Sequence, residues 1–472
     1  MKIDLCKPTI SHDVPKPRRK SNSGWTSGDG FYTMASMITD ITLRQIAHLT
    51  ADFNETVRDP LWRDIPLSKG FKSLFTSRSM QKLNRIKQLG PAYLVYPGAV
   101  HTRLDHSLGV FHATRLIILS LLNQIRQGTI APAISEEGIR ALLTSAMLHD
   151  MGHFPYAHAL KDMVSKEHEA LGALIIENDN ELRDIIENQI GTSVETVCKI
   201  IDTSRPSEDS EVGFLRTILS GTLDPDKLDY LSRDALFCGI PYGIQDASYI
   251  IRHLSIVKEG LPIGMPIEAI GSVEHLLFAK YSMYRNVYWH HGTRGATAMI
   301  KKAVQLALAE DLVTEKELYG QDDESFALLF QPYHDTASGE LFNAVRDNRL
   351  LVQQAAIPFQ NTLFHQKLYG DKQFRENLEM AIFNDLRKHY RSLKPHEIII
   401  DIPEDVSFES DIPILREDGS VLPFSQVDEL FTRDVVKTFT ASLRKIQLYT
   451  PGGIDRSLAH QIFIGLITHY EA

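Results

Sequence analysis

An apolar helical segment in the first half of the chain ends in a cluster of histidine and aspartate residues. The sequence LLTSAMLHDMGHFPYAH, residues 142–158, contains the adjacent pair His149 and Asp150, followed by His153 and His158. A buried imidazole or carboxylate is costly unless it is paired or bound to a metal. One such histidine alone would be interpreted as a structural residue at a helix end, but the cluster favours metal ligation. The segment therefore predicts half of a metal-centred hydrolytic site, and its ligand types suit Mn, Fe, Zn, Co or Ni.

Length and charge limit the range of possible functions. The 472 residues are enough for a large core and more than one structural unit. The net charge of −10 provides no general attraction to nucleic acid or to an anionic membrane, although it is compatible with a local basic pocket for a polyphosphate. The apolar run Leu116–Leu122 is far too short to span a bilayer, and the three cysteines match neither a disulfide framework nor a CxxC zinc site. No hydrophobic signal segment is recognisable, so we expect a cytoplasmic protein.

The character of the sequence changes twice along the chain. Residues 1–36 are polar and rich in Lys, Arg, Ser, Gly and Pro, which predicts a disordered tail. Residues 37–334 are mainly helical in pattern, whereas residues 335–472 add β-like runs. Among these runs, Glu397–Pro403 predicts a strand and Asp418–Gly419 predicts a hairpin turn. We therefore predict a mainly α fold, with a helical core and a smaller C-terminal α+β unit packed on it.

Several predicted helices carry candidate site residues. The spacing of apolar residues predicts one helix over Ser77–Gly90, capped by a serine and ended by the glycine. A long helix begins in HTRLDHSLGV, with His106 near its start. The helix SEEGIRALLTSAMLHD opens with Ser135 and two glutamates suited to an N-terminus. A further helix, Lys166–Asn178, carries His168.

Four side chains from three predicted helices would form the metal site: His106, the adjacent pair His149 and Asp150, and Asp226. Two imidazoles and two carboxylates can hold one metal while positions stay open for water and a phosphate oxygen. The sequence lacks a GxGxxG or GxxxxGK[ST] phosphate loop, so phosphate chemistry would have to use the metal and side chains.

The segments around these residues resemble a known family. His106, the His149–Asp150 pair and Asp226 match the H…HD…D signature of the HD-domain phosphohydrolase superfamily. More narrowly, YPGAVHTRLDHSLGV, HDMGHFPYAH and DPDKLDYLSRD resemble its deoxynucleoside triphosphate triphosphohydrolase branch. That branch includes enzymes with an additional SAM domain, for which this sequence shows no counterpart. The resemblance implies that residues 37–334 form an HD-domain helical core.

The resemblance implies a role for each matching residue. One divalent transition metal would be bound by His106, His149, Asp150 and Asp226, with Mg accompanying the triphosphate. The α-phosphate would be lined by His153, His158 and His168, of which His158 would protonate the departing 5′-oxygen. The triphosphate would be bound by Arg103, Lys227 and Lys280. The sugar would contact Tyr230, Asp234 and Tyr288, while its 3′-hydroxyl and 2′ position would meet Gln88 and Leu89.

The implied reaction is hydrolysis of a deoxynucleoside triphosphate to a deoxynucleoside and inorganic triphosphate, by attack of water on the α-phosphorus. The resemblance also implies a homo-oligomer, a dimer or a tetramer, and activation by a nucleotide is a further hypothesis. Two other interpretations stay open. The first is another HD phosphohydrolase, such as a nucleotidase, a cyclic-nucleotide phosphodiesterase or an alarmone hydrolase. The second is a nucleotide-sensing or nucleic-acid-binding regulator, against which the intact metal ligands argue.

A few residues near the motifs depart from the family or have a plainer interpretation. The family's relay carboxylate, three residues after the proton-donating histidine, is replaced by Lys161, with Asp162 next in the chain. The partner in proton relay is therefore open. Tyr284 and Trp289 are interpreted as core aromatics. For Arg233, a role in a surface ion pair and a role in the site are equally compatible with the sequence.

Overall fold

The computed structural model describes residues 41–129, 134–257, 263–406, 408 and 411–471. Within these ranges the chain is mainly helical with three small sheets, so the predicted fold class is confirmed. The predicted polar tail, residues 1–36, lies outside the described residues.

The first half opens with a helix over residues 41–51, α1, and a hairpin of two antiparallel strands, β1 (Glu55–Asp59) and β2 (Arg63–Leu67). Helices follow in the order α2 (Lys69–Thr76), α3 (Arg78–Leu83), α4 (Arg103–Arg126), α5 (Glu136–Leu148), α6 (His168–Asn178), α7 (Asn180–Asp184), α8 (Val194–Ile201), α9 (Ser210–Leu219), α10 (Pro225–Cys238) and α11 (Ala247–His253). Short 3-10 turns and a π-helical turn lie between them, at Gly90–Leu94, Lys161–Met163 and Ile185–Ile190.

The second half alternates helices and short strands. Its elements are β3 (Ser255–Ile256), β4 (Ile263–Pro266), α12 (Ile270–Met283), α13 (His291–Ala309), α14 (Glu315–Leu318), α15 (Asp323–Phe330), α16 (Ala337–Arg346), β5 (Val352–Pro358), α17 (Leu363–Gly370), α18 (Lys372–Arg387), β6 (Ile399–Asp401), β7 (Pro413–Leu415), β8 (Val421–Pro423), α19 (Phe424–Val427), α20 (Arg433–Leu443), β9 (Lys445–Thr450) and α21 (Arg456–Glu471). A π-helical segment, Tyr284–Tyr288, joins α12 to α13, and 3-10 turns occur at Ile267–Ala269, Gln331–Tyr333 and Pro395–Glu397.

The long helix α4 lies at the centre of the first half and begins where the sequence predicts. Thr102 caps its N-terminus and forms a capping box with Asp105. The helix packs against α5 and α10, and buried residues occur on all its sides. By length and composition alone α4 could cross a membrane, but 67% of its most apolar window is buried inside the protein. That burial is typical of a core helix.

Helix ends bring the predicted metal ligands together. Helix α5 starts after Ser135, whose side chain accepts a hydrogen bond from the Gly138 amide, and ends at Leu148, with His149 as its C-cap. Helix α10 starts after Asp224, which caps it through the Lys227 amide, and places Asp226 in its first turn. Both helices contact the helices of the central core, which fixes where their ends lie.

The C-terminal region is joined to the helical core by pairing and by packing. Strand β4 pairs in parallel with β7, within a sheet of order β3-β4-β7-β8, so that Met265 lies opposite Ile414. The predicted hairpin at Asp418–Gly419 is present, because β7 and β8 pair antiparallel around it. The predicted strand in Glu397–Pro403 is β6, in a second sheet of order β5-β9-β6. The boundary at residue 335 stays a prediction.

The predicted helix over Ser77–Gly90 is wrong beyond Leu83. Helix α3 is capped by Ser77 as expected but covers only Arg78–Leu83. The chain then runs beside the segment that precedes α4. There the Gln88 amide donates to the His101 carbonyl, and the Arg103 amide donates to the Ile86 carbonyl. These long-range hydrogen bonds replace helical ones and hold Gln88 against the start of α4.

Candidate metal centre and its cavity

A cavity of about 560 Å³ lies where α4, the turns after α5, α10, the π-helical segment and α13 meet. Of the residues that the sequence predicts for the site, most line this cavity: Gln88, Leu89, Arg103, His106, His149, Asp150, His153, His158, His168, Asp226, Tyr230, Asp234 and Tyr288. Lys227 and Lys280 are not among its lining residues.

Side chains at the bottom of the cavity form a compact metal-binding arrangement. One ligand atom from each of His106, His149 and Asp150 lies within 4.8 Å of the others. Asp226 approaches from α10, with its Oδ1 2.9 Å from His106 Nε2. The side chain of Asp226 is 42% exposed, so this carboxylate faces the open side of the cluster. Imidazole nitrogens and carboxylate oxygens at this separation are a donor set suited to a divalent transition metal.

The orientation of His149 supports cation binding. Its Nδ1–H donates to the Ala146 carbonyl at 2.9 Å, so Nε2 is the ring nitrogen left to act as an acceptor. His149 Nε2 is buried and has no hydrogen-bond partner among the described residues. A lone pair buried without a partner beside Asp150 and His106 fits a metal ligand.

A buried ion network supports His106 from behind. His106 Nδ1 lies 2.8 Å from Asp229 Oδ2, and Asp229 also accepts two hydrogen bonds from the Arg233 guanidinium. Arg233 in turn donates to Asp59 of β1 at 2.7 Å. The side chain of Arg233 is fully buried, so the interpretation as a surface ion pair is wrong. Asp229 was not predicted as a site residue, although its position three residues after Asp226 puts it on a neighbouring part of the same helix face.

Hydrogen bonds and nearby charges shift the pKa values of two predicted metal ligands, His106 and Asp150. Burial acts to lower the pKa of His106, but hydrogen bonds to Asp226 and Asp229 outweigh it and raise that pKa to about 10. A cation bound here would therefore displace a proton from His106. Burial acts to raise the pKa of Asp150, yet the positive charge of Arg103, at 2.7 Å, and the neighbouring histidines hold it well below its usual range. Asp150 is therefore a carboxylate at neutral pH.

Three histidines form a second group beside the metal ligands. The rings of His153 and His168 stack with centroids 4.1 Å apart, and His158 lies 4.8 Å from His153. Ligand atoms of His153 and His168 approach Asp150 closely enough to suggest a second cation site. However, the stacked rings are only 22° from parallel, so their in-plane lone pairs do not converge on one point. Burial lowers the pKa of all three imidazoles, and that of His158 falls to about 3, so they are neutral in the free protein.

Tyr288 and Asp234, which the family resemblance implies would contact a sugar, form a polar pair in the cavity. The Tyr288 hydroxyl donates to Asp234 Oδ2 at 2.6 Å, and His101 Nε2 lies 2.8 Å from Asp234 Oδ1. The ring of Tyr230 lies 6.4 Å from that of Tyr288. His101, which the sequence alone gave little reason to select, therefore holds the carboxylate of Asp234 in place.

The cations that line the cavity agree only in part with those predicted. Arg103 is present, but Lys227 donates to its own helix cap, Asp224, at 2.6 Å, and Lys280 is buried over the Phe408 ring at 5.4 Å. Neither lysine is among the residues that line the cavity, and their part in binding a triphosphate stays a prediction. Other cations that line the cavity are Lys87, Lys161, Arg294 and Lys301.

One wall of the cavity was not foreseen. Tyr284 and Trp289 line it, although the sequence favoured them as core aromatics. Beyond them, Thr293, Thr297 and Lys301 of α13 also face the cavity, opposite the loop 402–406. Their spacing of four residues, which puts three polar side chains on one face of a helix, is the signal that would have found them.

Unpartnered polar atoms are concentrated around this cavity. An unsatisfied buried polar group costs about 1–3 kcal/mol. Five lining residues carry a buried side-chain atom that lacks a hydrogen-bond partner in the described part of the chain: Gln88 Oε1, Arg103 Nε, His149 Nε2, His153 Nδ1 and Thr293 Oγ1. The cavity is therefore built to receive a polar ligand.

Comparison with known proteins agrees with this geometry. An HD domain matches residues 103–234 and an HD associated region matches residues 245–463. The protein YwfO of Bacillus subtilis is 29% identical over 278 residues, which is 59% of this chain and 59% of that protein. The deoxynucleoside triphosphate triphosphohydrolase SAMHD1 of Homo sapiens is 26% identical over 279 residues, which is 52% of this chain and 44% of that enzyme. The chain thus spans about half the length of the curated relatives it matches.

A solved structure extends the similarity in fold to most of the chain. A phosphohydrolase from Bacteroides thetaiotaomicron superposes with a TM-score of 0.65 at 21% identity, covering 84% of this chain and 100% of that chain. The superposition shows a shared fold.

Proposed function

We propose that this HD-domain protein hydrolyses deoxynucleoside triphosphates to deoxynucleoside and inorganic triphosphate, with water attacking the α-phosphorus. The observation that carries the proposal is the convergence of a His/Asp ligand cluster and five unpartnered buried polar atoms on one cavity. The similarity to SAMHD1, which bears this activity in its name, supports the choice of substrate.

His106, His149, Asp150 and Asp226 would hold the cation. When bound, a divalent cation would lower the pKa of a coordinated water from about 15.7 towards about 7 and neutralise charge on the α-phosphate. Arg103 Nη1 already donates to Asp150, and its buried, unpartnered Nε is available to bind a phosphate oxygen.

His158 is the candidate for proton delivery. Attack on phosphorus breaks its bond to the 5′-oxygen, and the departing alkoxide needs a proton. Burial lowers the pKa of His158 to about 3, so the free imidazole is neutral. A bound triphosphate places negative charge beside it and would raise that pKa, so that His158 carries a proton only when substrate is present. His153 and His168 pack against His158 and hold it in the cavity.

The sugar would lie against Tyr288 and Asp234, which form one hydrogen-bonded unit. Gln88 offers an unpartnered buried oxygen that can accept from a 3′-hydroxyl. Leu89 lines the same cavity and would exclude the polar 2′-hydroxyl of a ribonucleotide.

Assembly and location belong to the same proposal. We expect a homo-oligomer, a dimer or a tetramer, a cytoplasmic location, and activation by a nucleotide. Light scattering of the full chain with and without GTP or dGTP would report both the oligomer and its dependence on nucleotide.

The test is a panel of the four deoxynucleoside triphosphates with Mn²⁺ or Mg²⁺, with and without GTP or dGTP. Ion-pair chromatography should show inorganic triphosphate as product, and Asp150→Ala should abolish turnover because it removes a metal ligand. Release of orthophosphate or pyrophosphate would indicate another HD phosphohydrolase instead. Binding of a nucleotide without turnover would indicate a regulator, and unchanged turnover in Asp150→Ala would remove Asp150 from the metal site.

A further inference from the structure

Helix α13 presents a polar stripe to the cavity from outside the HD domain. Thr293, Thr297 and Lys301 are four residues apart, so they lie along one face, and all three line the cavity. The family match to the HD domain ends at residue 234, so this wall belongs to the HD associated region. None of the roles proposed above uses it.

The hydroxyl of Thr293 is the unusual feature of this stripe. Thr293 is only 6% exposed, and its Oγ1 has no hydrogen-bond partner among the residues that the structure describes. A threonine inside a helix commonly donates to the carbonyl four residues earlier. Thr297 does so, donating to the Thr293 carbonyl at 2.8 Å. For Thr293 the equivalent residue is Trp289, which precedes the first residue of α13, and no such bond forms.

The rest of a nucleotide is already accounted for on other walls. In the proposed function, the phosphates contact the metal ligands and the three histidines His153, His158 and His168. The sugar contacts Tyr288 and Asp234. The base would then face the remaining wall, where Tyr284 and Trp289 offer aromatic rings and Thr293 offers a buried hydroxyl. A hydroxyl can both donate and accept, so it can serve the polar edge of a base.

We propose that Thr293 hydrogen-bonds the base of the bound nucleotide and contributes to the choice among the four bases. This inference rests on the proposed function and deepens it, since it assigns the base-recognising wall to the HD associated region.

The experiment compares Thr293→Val, Thr293→Ser and Thr297→Val in the full-length protein. Valine keeps the shape and removes the hydroxyl, whereas serine keeps the hydroxyl. Thr297→Val is the matched control because its hydroxyl lies on the same helix face and is already satisfied. For each variant, kcat and KM are measured for dATP, dCTP, dGTP and dTTP, and Kd is measured by calorimetry on protein stripped of metal by a chelator.

Thr293→Val should raise KM and Kd by about 2- to 12-fold for at least one base relative to another, the value of one neutral hydrogen bond. Its kcat should stay near that of the unchanged protein because the reacting atoms are not touched. Thr293→Ser and Thr297→Val should keep the original order of bases. If Thr293→Val unfolds, Thr293→Ala replaces it, since alanine also lacks the hydroxyl and favours a helix.

An equal loss for all four bases, no loss for any, or the same change in Thr297→Val would overturn the proposal. Failure of the proposed function can be distinguished from failure of this inference, because the unchanged protein would then release no triphosphate from any of the four substrates. In that case base-dependent Kd values still decide the role of Thr293, and failure to bind any nucleotide would overturn both.

Discussion

His106 is held at both ring nitrogens by carboxylates from a single helix, α10. Nε2 lies 2.9 Å from Asp226, and Nδ1 lies 2.8 Å from Asp229. A carboxylate behind a ligand imidazole fixes its tautomer and makes the other nitrogen a better donor to metal. Asp229 is itself fully buried and is neutralised by Arg233, so its position is rigid.

Asp229→Asn should weaken cation binding by about 10- to 100-fold, the range seen when such a supporting carboxylate is lost. The measurement is calorimetric titration of Mn²⁺ into chelator-treated protein, at a temperature well below unfolding. Stability should fall as well, because Arg233 loses one of its two carboxylate partners and keeps only Asp59.

Asp64→Asn is the matched control, because Asp64 pairs with Arg58 at 2.9 Å on the surface, where both side chains are about two-thirds exposed. It should leave Mn²⁺ affinity and stability nearly unchanged. If Asp229→Asn unfolded earlier yet bound Mn²⁺ as tightly as before, Asp229 would support only the fold.

At the scale of elements, Gly152 and Gly172 let α6 lie close to the loop that follows the metal ligands His149 and Asp150. A Cβ on Gly152 would lie 1.9 Å from the His168 carbonyl oxygen and 2.5 Å from the Gly172 amide nitrogen, both of them backbone atoms. The close approach brings His168 into its stack with His153. Gly152 therefore allows the loop that follows α5 to pack closely against α6. This packing in turn holds His168 against His153.

Gly152→Ala should destabilise the protein by about 1–3 kcal/mol, because the backbone of α6 must move to admit the methyl group. Turnover should fall as well, since the shift separates His168 from His153. Denaturant unfolding and initial rates of triphosphate release measure the two effects.

Gly213→Ala provides the contrast within the same fold. Gly213 lies in α9, and a methyl group added there would meet no neighbouring atom within 4 Å. Alanine should therefore stabilise the helix by up to about 1 kcal/mol and leave turnover unchanged. Equal effects of the two substitutions would mean that the contact at Gly152 is not limiting.

Helix α3 shows where local patterns stop being informative. Apolar spacing continued past Leu83, and the serine cap was correctly placed, yet the helix ended there. The competing partners were backbone groups far along the chain: the His101 carbonyl for the Gln88 amide, and the Asp323 amide for the Arg85 carbonyl. Hydrogen bonds of that kind leave no periodic trace in the sequence.

At the scale of the whole molecule, the sequence was most informative for the HD half. His106, His149, Asp150 and Asp226 lie in local strings that could be recognised one by one, and the structure brings them together. The side chains of Lys227 and Lys280 could not be placed in this way. Lys227 donates to the helix cap Asp224 and Lys280 lies over the ring of Phe408, and sequence spacing does not reveal contacts of this kind.

Two parts of the cavity lining come from different family regions, and this leads to a prediction for the molecule as a whole. The HD domain supplies residues 149–158, and the associated region supplies α13 and the loop 402–406. A nucleotide bound as proposed would touch both, so binding should slow hydrogen exchange in both segments at once. Mass spectrometry of His158→Ala with Mn²⁺ and a deoxynucleoside triphosphate measures this with little consumption of ligand.

Inorganic triphosphate lacks sugar and base, so it should protect only residues 149–158. Equal protection of both walls by inorganic triphosphate would show that the associated region responds to phosphate and does not contact the base.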